Sequence, residues 1–137
     1  MKIKDIQSTI AAELNGFEEL IQGGCMAFAE DTRTVYNEAV LWTQQGKIAL
    51  VVVTPDMQRN GDCADGIPAE TELQIQCSEK PAVSRAISGV ITALDAAELV
   101  MHALDGGQFC WRSTRQSFDR ESAVLTATVT FSTSIIL

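Results

Sequence analysis

Six apolar residues in an unbroken row, Ile48-Ala49-Leu50-Val51-Val52-Val53, constrain this chain more than any other segment. A strand with one wet face alternates apolar and polar residues. A valine-rich run without alternation, ended by Thr54-Pro55, belongs to a strand covered on both faces. Gly46 closes a helix just before it. The fold must therefore hold a sheet with this strand inside it, and other segments must cover it. The material is present: of 137 residues, 46% are hydrophobic and 20% charged, a balance that supports a packed core. At this length one domain over residues 1–137 is expected, and no Ser/Gly/Pro-rich linker or internal repeat divides it.

The remaining segments follow from periodicity. Ile3, Ile6, Ile10, Leu14 and Phe17 recur at helical spacing, so residues 4–15 read as an amphipathic helix stopped by Gly16. After Gly23-Gly24, residues 25–29 read as a short strand. Asp31 offers N-cap chemistry for a second helix, with Val35, Ala39 and Trp42 on one face and Val40 beside them. Glu72-Leu73-Gln74-Ile75-Gln76-Cys77 alternates, which marks a strand with one wet face. Residues 47–54 and 71–79 then form an antiparallel pair. Pro81 breaks the second strand of that pair. A third helix follows, with Ile91, Leu94, Ala97, Met101 and Leu104 on one stripe and Thr92 and Asp95 placed for a capping box. Asp105-Gly106-Gly107 stops it. Phe109-Cys110-Trp111 begins another strand, and Leu125, Ala127, Val129 and Phe131, alternating with Thr and Ser, make the last. The expected architecture is α+β: a mostly antiparallel sheet of about four strands with two to three helices packed on one face. Ile48, Leu50, Val52, Leu94, Met101, Val129 and Phe131 are the expected core. The apolar tail Ile135-Ile136-Leu137 needs either that core or a neighbour.

Charge narrows the function. Ten basic against eighteen acidic residues give a net charge of −8, which opposes binding to a phosphate backbone or an anionic membrane surface. No apolar run approaches the roughly 18–20 residues of a membrane span. The opening Met1-Lys2-Ile3-Lys4-Asp5 has no apolar signal core, so synthesis in the cytosol is expected. Residues 54–72 carry Asp56, Asp62, Asp65, Glu70 and Glu72 against Arg59 alone, a local balance of −4, and the turn signals Asn60-Gly61 and Asp65-Gly66. This is a long loop or the tip of an extended hairpin. The basic trio Arg112, Arg115 and Arg120 is expected in the link between the last two strands.

Catalytic patterns are missing from the sequence. His102 is the one histidine; Glu98 and Asp105 are its helical neighbours, a spacing that a plain polar face explains as well. Cys25, Cys63, Cys77 and Cys110 contain no Cys-x-x-Cys pair, and buried thiols are the simplest expectation. Cys63 lies between Asp62 and Asp65, whose charge suppresses a thiolate. Carboxylates at 56, 62 and 65 do not follow a calcium-loop frame. No glycine cluster has the spacing of a phosphate-binding loop. No cofactor or metal is expected.

Several segments resemble small neck and tail proteins of tailed phages. The helix and strand Asn37-Glu38-Ala39-Val40-Leu41-Trp42 to Gly46-Lys47 and on to Val53-Thr54-Pro55 resemble their helix followed by an apolar strand ending in Thr-Pro. Leu73 to Arg85, with Glu79-Lys80-Pro81, is similar to their strand ending in Glu-x-Pro. Thr92 to Leu104 is similar to their next helix, and Val124 to Phe131 to their final strand. The resemblance, over roughly residues 30–131, is to tail terminator or tail completion proteins. One departure stands out: the family's helix often closes with Leu-His-Gly, whereas here His102 precedes Ala103-Leu104-Asp105-Gly106. The resemblance implies a non-enzymatic subunit, often in a six-membered ring that caps the tail tube and meets the head–tail connector. It implies partners among copies of itself, the tube protein and the connector, with no sequence-specific nucleic acid and no membrane. It places the chain in the host cytoplasm during assembly and then in the virion. Asp56, Asp62, Asp65, Arg112, Arg115 and Arg120 are the candidate interface residues, through charge pairing between subunits. A ferredoxin-like ligand-binding or regulatory domain is the alternative from another class, and a small enzyme with a site between subunits is a third.

Overall fold

The computed structural model describes residues 3–30, 35–59, 61, 66 and 68–136. In chain order its elements are α1 (Ile3–Asn15), α2 (Glu18–Gln22), β1 (Cys25–Ala29), α3 (Val35–Gln44), β2 (Ile48–Val52), β3 (Asp56–Arg59), β4 (Pro68–Glu79), α4 (Pro81–Ser84), α5 (Ala93–Leu104), β5 (Cys110–Asp119) and β6 (Val124–Ile136). The strands form one six-stranded sheet in the order β1-β2-β4-β6-β5, with β3 also paired to β4.

β2 is buried along its whole length, as its unbroken apolar run requires. Ile48, Leu50 and Val52 join the main core, which also takes Ile6, Ile10 and Leu14 from α1 and Val100 from α5. Ala49 and Val51 point the other way, against Ala39 of α3, with Phe28 and Trp42 beside them. Helices thus cover both faces at this end of the sheet. This corrects the expectation of helices on one face, for the reason that a strand apolar on both sides needs two covers.

The sheet is mixed. β1 lies parallel to β2, and α3 makes the crossover that a parallel neighbour requires. The other pairings are antiparallel. Among the described residues six strands replace the expected four, because residues 25–29 pair and the acidic segment contributes β3. Five helices replace two or three, because two short turns, α2 and α4, lie at chain reversals.

β2 and β3 run one after the other along the same edge of β4. Val52 faces Ile75 and Asp56 faces Glu72, so three residues, 53–55, oppose two. The extra residue is a bulge, and it falls where Pro55 has no N–H to give. β6 follows β4 from Leu125 opposite Glu79 to Ile136 opposite Pro68. The C-terminal tail is therefore a paired strand, with Ile135 buried.

The third helix keeps its expected cap: Thr92 Oγ1 accepts from Asp95 N–H at 3.1 Å, and Asp95 accepts from Thr92 N–H at 3.3 Å. Its buried face differs. Ala93, Ala96, Ala97, Val100 and Leu104 are buried, whereas Leu94 is 53% exposed and Met101 is half-buried. Small alanines let the helix approach β4 and β6 closely; Leu94 is turned outward, while Ile91 and Met101 of the expected stripe pack against the core. Similarly, Val35 and Ala39 are buried in α3, Trp42 is half-buried, and Val40 is exposed. The expected cap Asp31 lies outside the described residues.

Three side-chain contacts fasten the ends. Gln7, buried in α1, donates from Nε2 to the Val52 carbonyl at 3.1 Å. Asn15 accepts from Ala27 N–H at 2.8 Å and donates to its carbonyl at 3.0 Å, as a neighbouring strand would. Glu79, fully buried, accepts from Ser84 Oγ at 2.8 Å and Arg85 Nη2 at 3.0 Å, which holds the turn after β4.

Phe131 is fully buried and meets Phe109 edge to face at 6.5 Å between ring centres. Phe131→Ala is expected to cost about 3–5 kcal/mol, whereas Leu94→Ala should stay within about 0.5 kcal/mol, as an exposed substitution does. Urea titration of both variants checks this; equal losses would contradict the orientation of α5.

Candidate functional site

The second face of the sheet is covered by α3 only over β1 and β2. Over β3, β4, β6 and β5 it is open, and its surface follows from alternation. On β6, Ala127, Val129 and Phe131 enter the core. Thr126, Thr128, Thr130 and Ser132 therefore form a row of hydroxyls on the open side. On β4 the matching row is Glu70, Glu72, Gln74, Gln76 and Ser78, with Ser78 and Thr126 joined by a 3.0 Å hydrogen bond. Asp56 and Gln58 of β3 extend the acidic side. On β5, Ser113, Arg115 and Ser117 face Thr130, Thr128 and Thr126.

This face brings together part of the predicted set. Asp56 stands on one flank; Arg112 and Arg115 stand on the other, with the β6 hydroxyls between. Arg112 sits at an irregularity between Trp111 and Ser113, and its Nε donates to Ser132 Oγ at 2.7 Å. Asp56, Glu72, Arg112 and Ser132 border a shallow groove of about 410 Å³. A second, of about 240 Å³, lies between Glu72 and Arg115. Among the described residues, no ion pair crosses the grooves to join Asp56 or Glu72 to Arg112 or Arg115. Asp62 and Asp65 lie outside the described residues, as does Cys63. Arg112 and Arg115 belong to β5 itself and Arg120 to the turn after it, which corrects their expected place in a link: the last hairpin is tight, so the arginines are part of its ladder.

The exposure of the two outer strands differs. Asn15 occupies the free side of β1. β5 is exposed over most of its length, with Trp111 39% and Phe118 54% exposed. Neither feature was read from the sequence. Asn15 looks like an ordinary helix-end residue, and nothing local to β5 says which of its sides lacks a partner.

His102 and Glu98 are 4.0 Å apart and both well exposed. Asp105 Oδ1 accepts from the Trp111 N–H at 2.8 Å, and Asp105 and His102 border one shallow depression beside Trp111. Among the described residues no cluster of His, Cys, Asp and Glu could hold a metal. Cys25 and Cys77 are buried, but Cys110 is exposed, a correction that follows from its place on the outer strand. Burial pushes the Cys25 thiol up to about 12. Burial, and secondarily the nearby Cys25, raises Cys77 as well.

No family model matches the chain, and no curated protein matches it. Its fold does match a solved structure: a chain in the virion of a native gene transfer agent particle, with a TM-score of 0.65 over 96% of this chain and 95% of that one, at 13% identity. The two chains share a fold from end to end.

Two thiol measurements follow. Alkylation of the native protein should mark Cys110 and leave Cys25 and Cys77 until the chain unfolds. Because their thiols are raised in the folded state, their stabilising contribution is complete below about pH 9, the ordinary thiol value. It should fall as pH rises toward 12. Urea midpoints between pH 8 and 11 should decline less steeply in Cys25→Ala/Cys77→Ala than in the parent; parallel declines would contradict this.

Proposed function

We propose that the chain is a non-enzymatic structural subunit of a tailed, phage-like particle. In this reading it is a tail terminator or tail completion protein that joins copies of itself in a ring, caps the tail tube and meets the head–tail connector. The observation that carries the reading is the end-to-end fold match to a virion chain. The sequence resemblance over residues 30–131 supports the narrower role. So does a surface that offers a charged open face and an exposed outer strand. Assembly would take place in the host cytoplasm and end in the virion. A sequence-specific nucleic acid partner is unfavoured by the net charge, and no helix among the described residues is long and apolar enough to cross a membrane.

The ferredoxin-like alternative fares worse. That βαββαβ arrangement places its first strand inside the sheet, whereas β1 lies at an edge here, parallel to β2.

Opposite charges on Asp56, Asp62 and Asp65 and on Arg112, Arg115 and Arg120 would register one subunit against the next, head to tail. Particles assembled without this chain should carry tubes of uncontrolled length, because nothing stops growth; electron microscopy reads the outcome. Uniform tubes, or particles that never contain the chain, would overturn the proposal. Reversing Asp62 and Asp65 to Lys, or Arg112 and Arg115 to Glu, should weaken self-association about two- to fivefold per pair, more at low salt. The combined reversal should recover part of the loss in sedimentation. Variants that associate like the parent at every salt concentration would remove the charge pairing.

A further inference from the structure

We infer that β5 pairs with β5 of a second copy, antiparallel about a two-fold axis at Ser117, so that Arg115 of each copy faces Asp119 of the other. This goes beyond the reading above. A two-fold contact closes on itself and builds no ring, so the pair is a form of the free chain, separate from any head-to-tail contact.

The backbone directions of β5 come from two hydrogen bonds. Trp111 N–H points away from β6, to Asp105 Oδ1 at 2.8 Å. Val53 N–H donates to the Gln74 carbonyl at 3.0 Å, so even-numbered residues of β4 turn their backbone groups toward β2 and β3. In an antiparallel ladder these directions alternate. Leu73, Ile75 and Cys77 then turn toward β6, and Phe131, Val129 and Ala127 turn back toward them. The β5 residues opposite those three are Trp111, Thr114 and Gln116. Thr114, Gln116 and then Phe118 therefore direct N–H and C=O to the outer side, whereas Arg115, Ser117 and Asp119 turn theirs to β6.

Residues 115–119 are all exposed, and β5 has no proline or lysine. Such an edge is a template for another strand. The Asp105 contact and the irregularity at Arg112 blunt only its first residues.

Charge selects the partner and the register. Arg115, Ser117 and Asp119 share the open side of the sheet, opposite Thr128, Thr126 and Val124. Positive and negative charge thus stand two residues either side of Ser117, the self-complementary pattern that a two-fold contact needs. Among the described residues neither Arg115 nor Asp119 is in an ion pair. The Asp119 carboxylate accepts from Glu121 N–H on one oxygen and from Ser122 Oγ on the other, each at 3.0 Å. Its own turn thereby holds it in place, and each oxygen keeps a second lone pair. Ser117 opposite its copy sets Arg115 against Asp119 twice. Arg115 opposite its copy is repulsive. Gln116 opposite its copy sets Arg115 against Ser117, diagonal to Arg115 and Asp119 alike, so the charges cancel. Phe118 opposite its copy leaves Arg115 beyond the last strand residue. The favoured register also serves the core side. There Phe118, 54% exposed, comes opposite Gln116 and diagonal to its own copy, a spacing that aromatic side chains span.

Single cysteines in the full chain test the pair, in a background of Cys63→Ser and Cys110→Ser. Opposed residues that turn their backbone groups away from each other lie about 4.5 Å apart at Cα, within disulfide reach. Ser117→Cys should therefore oxidise to a linked dimer and nothing larger. Ser113→Cys, on the same side but about 26 Å along the strand from its copy, should not link. Arg115→Cys and Asp119→Cys should link to each other when mixed, and neither should link alone. In sedimentation across a concentration series, Arg115→Glu should weaken the dimer about two- to thirtyfold and Phe118→Ser about two- to tenfold, with the fold of the dilute monomer kept. Asp62→Lys/Asp65→Lys should leave this dimer unchanged. Ser117→Cys that stays monomeric or links no faster than Ser113→Cys, linked species larger than dimers, or a dimer unaffected by Arg115→Glu and Phe118→Ser overturns the pairing. None of these results touches the subunit reading, which fails separately if tubes keep a uniform length without the chain.

Discussion

β2 has no wet face, and the layering of the domain answers to that. Its two sets of side chains demand two covers: α1 and α5 with the main core on one side, α3 on the other. The covers are unequal in reach. The main core extends across the sheet to Val129 and Phe131. α3 is ten residues long and stops over the β1–β2 end. The domain is thus three layers deep at one end and two at the other, and the uncovered area is the hydroxyl and charge face of β3, β4, β6 and β5.

The edges are treated as unequally as the faces. The Asn15 amide pairs with both backbone groups of Ala27, so β1 is occupied although, among the described residues, no strand lies beyond it. β4 spends one edge on β6 and divides the other between β2 and β3 at the bulge around Pro55. Among the described residues, no strand pairs with the outer side of β5. A fold shared at 13% identity depends on this arrangement of covers and edges more than on particular core residues, since cores tolerate exchange when pattern and volume are kept.

Much of this was legible in the chain. The two-faced burial of β2, the antiparallel pairing with residues 71–79, the Thr92–Asp95 capping box and the inward set of the last strand follow from local rules, and the structure contains each. Three readings failed for a common reason. The stripe places Leu94 by hydrophobicity, but a close-packed helix on a sheet takes Ala93, Ala96 and Ala97 at the contact and leaves Leu94 outside, while Leu104 is buried and Met101 packs against the core. The parallel β1–β2 neighbour leaves no local trace, because pairing partners are chosen across eighteen intervening residues. Arg112 and Arg115 look like loop residues by composition and are strand residues because β5 pairs with β6, where Arg115 faces Thr128 and Arg112 sits at the irregularity.

Of the candidate site, the sequence supplied the charges and the alternation but not their meeting place. Which residue types occur, which segments are helical or extended, and which strand must be interior are properties of neighbours in the chain, so the sequence by itself determined them. That Asp56 and Arg115 border the same face, that Cys110 is exposed while Cys77 is not, and that β5 keeps a free edge depend on strand order. Strand order is decided by long-range pairing and by which surfaces the helices have already covered, and only the tertiary structure decided it.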